Sequence, residues 1–414
     1  MPELLAPAGS FACAEAAFSH GADAVYAGIG RFNLRAHSPN FTVEEFGELI
    51  DYANGIDKRV YGVLNIMPYD EMLESIENTL KQVAALGRKP SAFIISDPGV
   101  LLILKKNFGD DNIQFHLSTQ NGCFNSASMK FWREQGISRV ILPRELNLEQ
   151  IRRLSSSGIM ETEIFIHGAM CVSISGRCLL GTYYNKRHPN LGDCPQPCRF
   201  KYKIVPNDQT VNQQHDGFDA EEEADSGVYL LNSKDLCVID ILPDIIDSGA
   251  VSFKIEGRNK SAHYVASVVK VYRDAIDTYM ANPQNYKIKD WWQKELDAIE
   301  HRPYTTGFYA DDPIKQELFA SKAHVGYRLV GIVKAIIDGN PVIDVKNTFS
   351  GMSINVLPVK RGQIPFELTF NVIREYDGAD GNGTICDRAR ANRLVVLDGC
   401  NERLRVGDML RVHK

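Results

Sequence analysis

The chain has 414 residues, 46 Lys+Arg against 52 Asp+Glu, a net charge of −6 and 44% hydrophobic residues. That apolar share can build a sizeable core and excludes global disorder. The mild acidity excludes coating of nucleic acid by bulk positive charge, but leaves room for a local basic groove. The opening residues, MPELLAPAGSFACAEAAF, hold a Glu, Pro/Gly breaks and no basic stretch. Neither a secretion signal nor a membrane span is expected, and the expected location is cytoplasmic.

From residue 2 to about residue 260, short apolar runs alternate with amphipathic stretches. Strands are expected over 3–6, 24–27, 59–66, 92–96, 113–118, 139–142, 163–167 and 251–255. Helices are expected over 10–19, 43–54, 70–86, 99–107, 126–135 and 147–156, several opening on an Asp, Ser, Asn or Thr N-cap. Continuous apolar strands alternating with helices indicate a parallel sheet covered by helices. Eight strands in some 250 residues is the size of a TIM-like (β/α)8 barrel. The runs end in polar groups: Asn65, SDPG, HLSTQ, PRE, HGAMC and KIEGR. Polar residues collected at the strand C-termini are what an active site on that fold requires.

The rhythm breaks after residue 167. A segment rich in Gly, Pro, Cys, Arg and Tyr follows, with an acidic run over 219–225 that reads as a solvated loop tip. FKYKIV and VYLLN flank that run as a hairpin. Residues 261–283 form an amphipathic helix and a second lies near 291–300. From about Lys322, alternating strands with Gly-rich turns (YRLVGIVKAII, NPVIDVKN, PFELTFNVIREY, RLVVLDGC, DMLRVHK) indicate a small all-β barrel or sandwich. The expected division is a barrel over 1–260 containing a cysteine-rich segment over 168–237, a helical connector over 261–321 and the β domain over 322–414.

Five of the nine cysteines fall between residues 171 and 237: Cys171, Cys178, Cys194, Cys198 and Cys237. A disulfide framework is not expected in a cytoplasmic protein, so the cluster needs another explanation. Zinc takes four ligands, usually in tighter Cys-x-x-Cys knuckles. An iron–sulfur cluster also takes four thiolates, and accepts wider spacing because it is larger than one ion. Burial as small hydrophobes is the third reading. These cysteines sit among Gly, Pro and Arg rather than on a periodic apolar face, which favours metal, with iron–sulfur ahead of zinc. The fourth ligand stays open between Cys198 and Cys237. Cys13, Cys123, Cys386 and Cys400 have no such company and read as structural.

EIFIHGAMCVSISGRCLL, NKRHPNLGDCPQPCRF, NSKDLC and KIEGRNKSAHYVASVVKVYR resemble the signature blocks of the U-32 peptidase family. ELLAPAG, GADAVYAGIGRFNLRA and RPYTTGF fit it as well, and Gly181 departs from the Ser usual there. The resemblance implies one of several chemistries. Some members are described as collagenase-like proteases. Others hydroxylate RNA, making 5-hydroxyuridine at tRNA wobble positions with prephenate as co-substrate, or 5-hydroxycytidine in ribosomal RNA. Two relatives in ubiquinone hydroxylation hold a [4Fe-4S] cluster through cysteines. Carried onto this sequence, Cys171, Cys178 and Cys194 fall on ligand positions and Cys198 completes a Cys-x3-Cys pair. Length and the small β domain resemble the tRNA subgroup most.

The leading expectation is therefore C5 hydroxylation of an RNA pyrimidine with a [4Fe-4S] cluster at the barrel mouth. Adding oxygen to an aromatic carbon needs redox chemistry that side chains do not supply. A splayed base would stack on Tyr183, Tyr184 or Phe200. His116, Gln120, Lys186, Arg187, Arg199, Lys201, Lys234, Lys254 and Arg258 are candidates to hold phosphate, base or a small carboxylate co-substrate. His167, Arg144 and Glu256 are the catalytic candidates. His167 would shuttle protons, and Glu256 would act as a base or neutralise Lys254 and Arg258. A peptidase is the first alternative. The sequence has no HExxH helix and no GxSxG elbow, leaving only a Cys171–His167 pair. A non-catalytic iron–sulfur or RNA-binding accessory protein is the second. For that role Arg388, Arg390, Arg393, Arg403, Arg405 and Arg411 would face an anionic partner.

Overall fold

A computed structural model describes residues 1–36, 40–109, 111–202, 227–310, 317, 326–376 and 383–413. The acidic run over 219–225 lies outside the described residues. The chain forms two compact units. The first comprises Met1–Ala14, Asp23–Lys260 and His301–Ala323; the second comprises Glu15–Ala22, Ser261–Glu300 and His324–Lys414.

Eight parallel strands close the first unit into a barrel: β1 (Glu3–Ala8), β2 (Ala24–Gly28), β3 (Arg59–Leu64), β4 (Ala92–Ile95), β5 (Gln114–Leu117), β6 (Arg139–Ile141), β7 (Glu161–Ala169) and β9 (Ser252–Ile255). Each pairs with the next, and β9 closes the ring between β7 and β1. Every residue of β1, β2 and β4 is buried, because helices cover the outside and side chains fill the inside. The helices begin where their caps predict. Thr42 and Glu45 form a reciprocal capping box for α2 (Val43–Gly55), and Asn147 with Gln150 does so for α6 (Leu148–Ser155). Asp97 caps α4 (Pro98–Phe108), with Pro98 in the first turn. The expected TIM-like fold is thus present.

Two short strands escape the sequence pattern. β8 (Asp235–Cys237) runs antiparallel to the end of β7, and β10 (Tyr304–Thr305) pairs with β8. Three and two residues are too few to display a period. The expected hairpin around the acidic run shows, among described residues, one antiparallel bridge, Tyr202 to Val228.

The barrel interior carries a charged layer. Glu3 accepts from Tyr61 Oη at 2.6 Å, Arg139 Nη1 at 2.6 Å and Ser252 Oγ at 2.8 Å, and pairs with Arg59 at 2.7 Å. Arg139 also reaches Glu161 at 2.8 Å and Glu163 at 3.4 Å. Lys254 Nζ donates to Glu163 at 2.9 Å. Buried charge is tolerated here because each carboxylate meets a cation.

In the second unit, α9 (Ala262–Ala281) and α10 (Asp290–Asp297) are the expected helices. Antiparallel strands run from β11 (Tyr327–Ile337) to β20 (Met409–His413), around a core that includes Val330, Ile343, Val356, Ile373 and Leu397. The run PFELTFNVIREY divides into two strands, Phe366–Thr369 and Val372–Glu375. Of the six arginines expected to face a partner, Arg411 does not. It is buried and donates Nη2 to Glu295 at 2.6 Å, so the charge is spent internally. Arg388, Arg390, Arg393, Arg403 and Arg405 are exposed. Among the described residues no helix is long and apolar enough to cross a membrane.

Candidate functional site

The C-terminal ends of the barrel strands surround a cavity of about 160 Å³. Tyr26, Val63, Ile94, Ile141 and Phe165 give it an apolar floor, contributed by β2, β3, β4, β6 and β7. The segment after β7 folds over it, and Cys171, Cys178, Cys194 and Cys198 all line it. Cys237 sits on β8 opposite His167, is buried, and is not among the lining residues.

Side chains missed in the sequence hold the cysteine segment in place. Asn190 accepts from the Cys178 amide at 3.2 Å and donates to its carbonyl at 3.1 Å. Arg177 donates to the carbonyls of Gln120 and Asn121, both at 2.7 Å, tying the segment to the loop after β5. Leu180 N donates to Cys178 Sγ at 3.3 Å. An Asn in HPNLGD and an Arg in SGRC carry no signal by themselves, since their partners are distant backbone atoms.

The thiols feel one another. Burial pushes Cys198 up to about 11, against the pull of Arg199, and Cys171, Cys194 and Cys178 add to the rise. Burial also raises Cys194, with Arg35 opposing and Cys171 and Cys178 reinforcing. Such thiols ionise readily only when a positive centre enters among them. Among the described residues no group of three or more His, Cys, Asp or Glu side chains is arranged to hold a metal ion. Four thiols sharing one cavity nevertheless match the donor set of an iron–sulfur cluster, which is wider than an ion.

Arg35, Arg144, Lys254 and Arg258 bring positive charge to the same cavity, and Glu145 and Glu256 bring negative charge. Glu256 pairs with Arg35 at 2.9 Å and Arg144 at 3.6 Å, two partners not expected from the sequence, and also acts electrostatically on the expected Lys254 and Arg258. Burial alone would raise the Glu256 carboxyl, but Arg35, Arg144 and Arg258 hold it below its ordinary range, so it is ionised and a weak base. Lys254 is lowered by burial, an effect Glu163 resists, and it lies 4.3 Å from the Tyr26 ring centroid. Arg144 stacks on Phe165 at 3.8 Å. Arg258 donates Nη2 to Asn33 Oδ1 at 2.6 Å, and burial lowers it to about 10.

Glycine makes that arrangement possible. A Cβ on Gly28 would stand 2.4 Å from Arg258 Nη1 and 2.3 Å from Asn40 Oδ1, and one on Gly9 would meet the Arg258 carbonyl at 2.0 Å. At Gly9 the obstacle is backbone and leaves no room for a side chain, whereas at Gly28 a side chain would push Arg258, Asn33 and Asn40 out of their present arrangement.

The other expected residues lie apart from the cavity lining. His116 is buried beneath it, pushed well below 6.5 by burial and then by Arg139 and Lys254. Burial likewise pulls His167 to about 3. Gln120 is buried, with its carbonyl committed to Arg177. Arg187 pairs with Asp193 at 2.5 Å, while Lys186 is exposed at the end of α7 (Leu180–Asn185). Lys234 and Arg199 are half-buried, and burial, with Arg302 next, lowers Arg199. Tyr183 is exposed, and Tyr184 packs 6.0 Å from the Tyr202 ring.

The model of peptidase family U32 matches residues 9–318. The chain belongs to this family. It is 38% identical over 335 residues to "tRNA hydroxylation protein P1" of Bacillus subtilis, covering 80% of this chain and 77% of that one. It is 35% identical over 407 residues to "tRNA hydroxylation protein P" of Escherichia coli, covering 89% and 88%. An uncharacterized protease of Methanocaldococcus jannaschii is 40% identical over 324 residues, covering 77% and 75%. Names within the family therefore divide between RNA hydroxylation and proteolysis, and the site must speak for the chemistry.

Proposed function

We propose that this U32-family chain hydroxylates RNA, adding oxygen at C5 of a pyrimidine, with a tRNA wobble uridine converted to 5-hydroxyuridine. The observation that carries this reading is four thiols and four cationic side chains on one cavity at the barrel mouth, in a chain whose near-full-length relatives include tRNA hydroxylation proteins. Cys171, Cys178, Cys194 and Cys198 would hold a [4Fe-4S] cluster, which supplies the electron-transfer chemistry that no side chain here offers. Prephenate is the proposed co-substrate, consistent with the excess of cations on the cavity wall. The apolar floor excludes water from the reacting carbon, and exposed Tyr183 offers a face for a splayed base. The site of action is proposed to be cytoplasmic, where tRNA is found.

The peptidase reading draws less support. Its pair requires His167 as base, and an imidazole pulled to about 3 takes a thiol proton poorly at neutral pH.

Two measurements test the proposal. Anaerobic purification followed by iron and sulfide analysis should return about four of each per chain, and Cys→Ala at each ligand should remove them. Nucleoside mass spectrometry of tRNA from a strain lacking the gene should show loss of 5-hydroxyuridine derivatives. An iron-free protein carrying zinc, or unchanged tRNA in a strain with no second pathway, would overturn it.

A further inference from the structure

The β domain begins after residues 9–318, the part of the chain that the family model matches, so its role is read from its own surface. Residues 324–414 hold 13 Lys+Arg against 10 Asp+Glu, in a chain whose net charge is −6. Hydrogen bonds within the second unit gather part of this positive charge. Lys346 N donates to the Val330 carbonyl at 2.8 Å, Asn392 N to the Val345 carbonyl at 2.8 Å, and Val345 N to the Arg393 carbonyl at 3.0 Å. Ser350 pairs with Arg388 and Phe349 with Ala389 across two short antiparallel strands. Three separate segments thereby bring Arg328, Lys346, Arg388, Arg390 and Arg393 to one edge of the domain, and all five are exposed.

The charge on this edge is mostly unspent. Among the described residues Arg328, Arg390 and Arg393 form no ion pair. Arg388 meets Asp387 at 3.8 Å, and Lys346 meets Asp344 at 2.8 Å. Exposed pairs of this kind hold little. Arg388 and Arg390 flank Ala389, which is buried in the β core, so both stand on the outer face two residues apart. Two residues of extended chain span about 6–7 Å, the order of the step from one phosphate to the next along a nucleic-acid strand. Beside them lies an open hollow of about 410 Å³, lined by Arg328, Arg388, Thr348 and Ser350 among others. Arg328 Nη2 donates to the Thr348 carbonyl at 3.4 Å, which holds that side chain against the hollow. Arg403 and Arg405 lie elsewhere. They belong to the loop between β19 (Leu394–Asp398) and β20, whereas Arg393 precedes β19 and the far end of β20 pairs beside Arg328.

We propose that this edge is a docking surface for the phosphodiester backbone of RNA. Arg328 and Arg388, with the Thr348 and Ser350 hydroxyls, seat one phosphate in the hollow, and Arg390, Arg393 and Lys346 meet its neighbours. Guanidinium suits the role because its fork reaches two phosphate oxygens at once, and serine and threonine hydroxyls donate to the same oxygens. A polypeptide rich in carboxylates is the poorer match, since its charges sit on flexible side chains without a fixed step. Backbone contacts of this kind carry no sequence information; they hold the strand and set its register. The proposal deepens the RNA half of the proposed function and rests on it, but it uses neither the thiols nor the barrel cavity.

The test is fluorescence anisotropy of a fluorescein-labelled RNA stem–loop titrated with the purified full chain across a salt series. Arg388→Ala, Arg390→Ala and Arg393→Ala together should weaken binding roughly 10- to 100-fold at low salt. They should also reduce the slope of log affinity against log salt by about 2–3, close to one for each phosphate contact removed. Arg388→Lys, Arg390→Lys and Arg393→Lys together should restore the slope, with circular dichroism showing that each variant folds. Arg403→Ala with Arg405→Ala removes the same kind of charge elsewhere on the domain and should leave the slope as it is. An unchanged slope in the triple alanine variant, or an equal loss in the Arg403/Arg405 variant, would overturn the proposal. Displacement of the RNA by poly-glutamate of matched charge would overturn it too, and would assign the edge to an acidic polypeptide. If RNA binding falls as expected while tRNA from the strain lacking the gene is unchanged, the docking surface stands and the hydroxylation reading fails. If that tRNA loses 5-hydroxyuridine while the triple variant binds RNA normally, the reverse holds.

Discussion

Two charged regions lie along one barrel and follow opposite rules. Inside, at the level of β1, β6 and β7, Glu3, Arg139, Glu163 and Lys254 are each engaged by an opposite charge, and Tyr61 and Ser252 fill remaining positions on Glu3. At the mouth, Arg258, Glu145 and Ser175 are buried or half-buried with one polar atom apiece unspent. Arg258 and Ser175 are as buried as the inner layer, so for them the difference is not one of solvent access. The inner layer is satisfied by the fold and holds the strands together. The mouth is satisfied only when something else arrives, which is the usual division between the two ends of this architecture.

The comparison is broken most severely at Arg139. Arg139→Met removes the cation shared by Glu3, Glu161 and Glu163, leaving Glu3 with Arg59 and Glu163 with Lys254, and should cost about 3–5 kcal/mol in urea unfolding. If Arg139→Met is no less stable than the parent, the inner layer is not structural and the contrast fails.

Acid should separate the regions next. His116 is pushed below its ordinary 6.5 by burial, so below pH 6.5 the unfolded chain takes up a proton that the folded chain refuses. Each such histidine, His20, His167 and His263 included, should make stability fall from that point by up to about 1.4 kcal/mol per pH unit. For Glu3, burial raises the carboxyl, but Arg139, Arg59, Tyr61 and Ser252 together hold it below 4.5. Its contribution is complete above pH 4.5 and is lost as pH falls through the folded value. Chemical denaturation across pH 3–8 should show both limbs. His116→Gln should make the upper limb shallower by up to about 1.4 kcal/mol per pH unit, leaving the share of His20, His167 and His263, and Glu3→Gln should shrink the lower one, to which Glu256 and Glu295 also contribute; a limb unchanged in its variant would mean that group does not contribute to the acid response.

Arg258→Gln should be milder than Arg139→Met, costing no more than about 1 kcal/mol in the same unfolding experiment. A loss as large as that at Arg139 would make Arg258 a structural residue. The smallest effect is expected at Ser175→Gly. Relief of the left-handed serine should stabilise the chain by about 0.5–1 kcal/mol. A destabilised Ser175→Gly variant would show that the conformation is not strained.

The sequence alone determined the barrel, because eight continuous apolar strands and the six amphipathic helices between them are local patterns. It also determined that Cys171, Cys178, Cys194 and Cys198 belong to one segment, because spacing is written in the chain. It did not reveal β8 or β10, which are too short to carry a period. Nor did it reveal which charge meets which. Glu256 lies two residues from both Lys254 and Arg258, yet it also meets Arg35, 221 residues away, and Arg144. Spacing in sequence can show which residues share a face, but not which distant loops meet that face across a barrel mouth. Only closure of the ring brings loops from β2, β6, β7 and β9 to one cavity. Only that closure decides which of its polar atoms remain open.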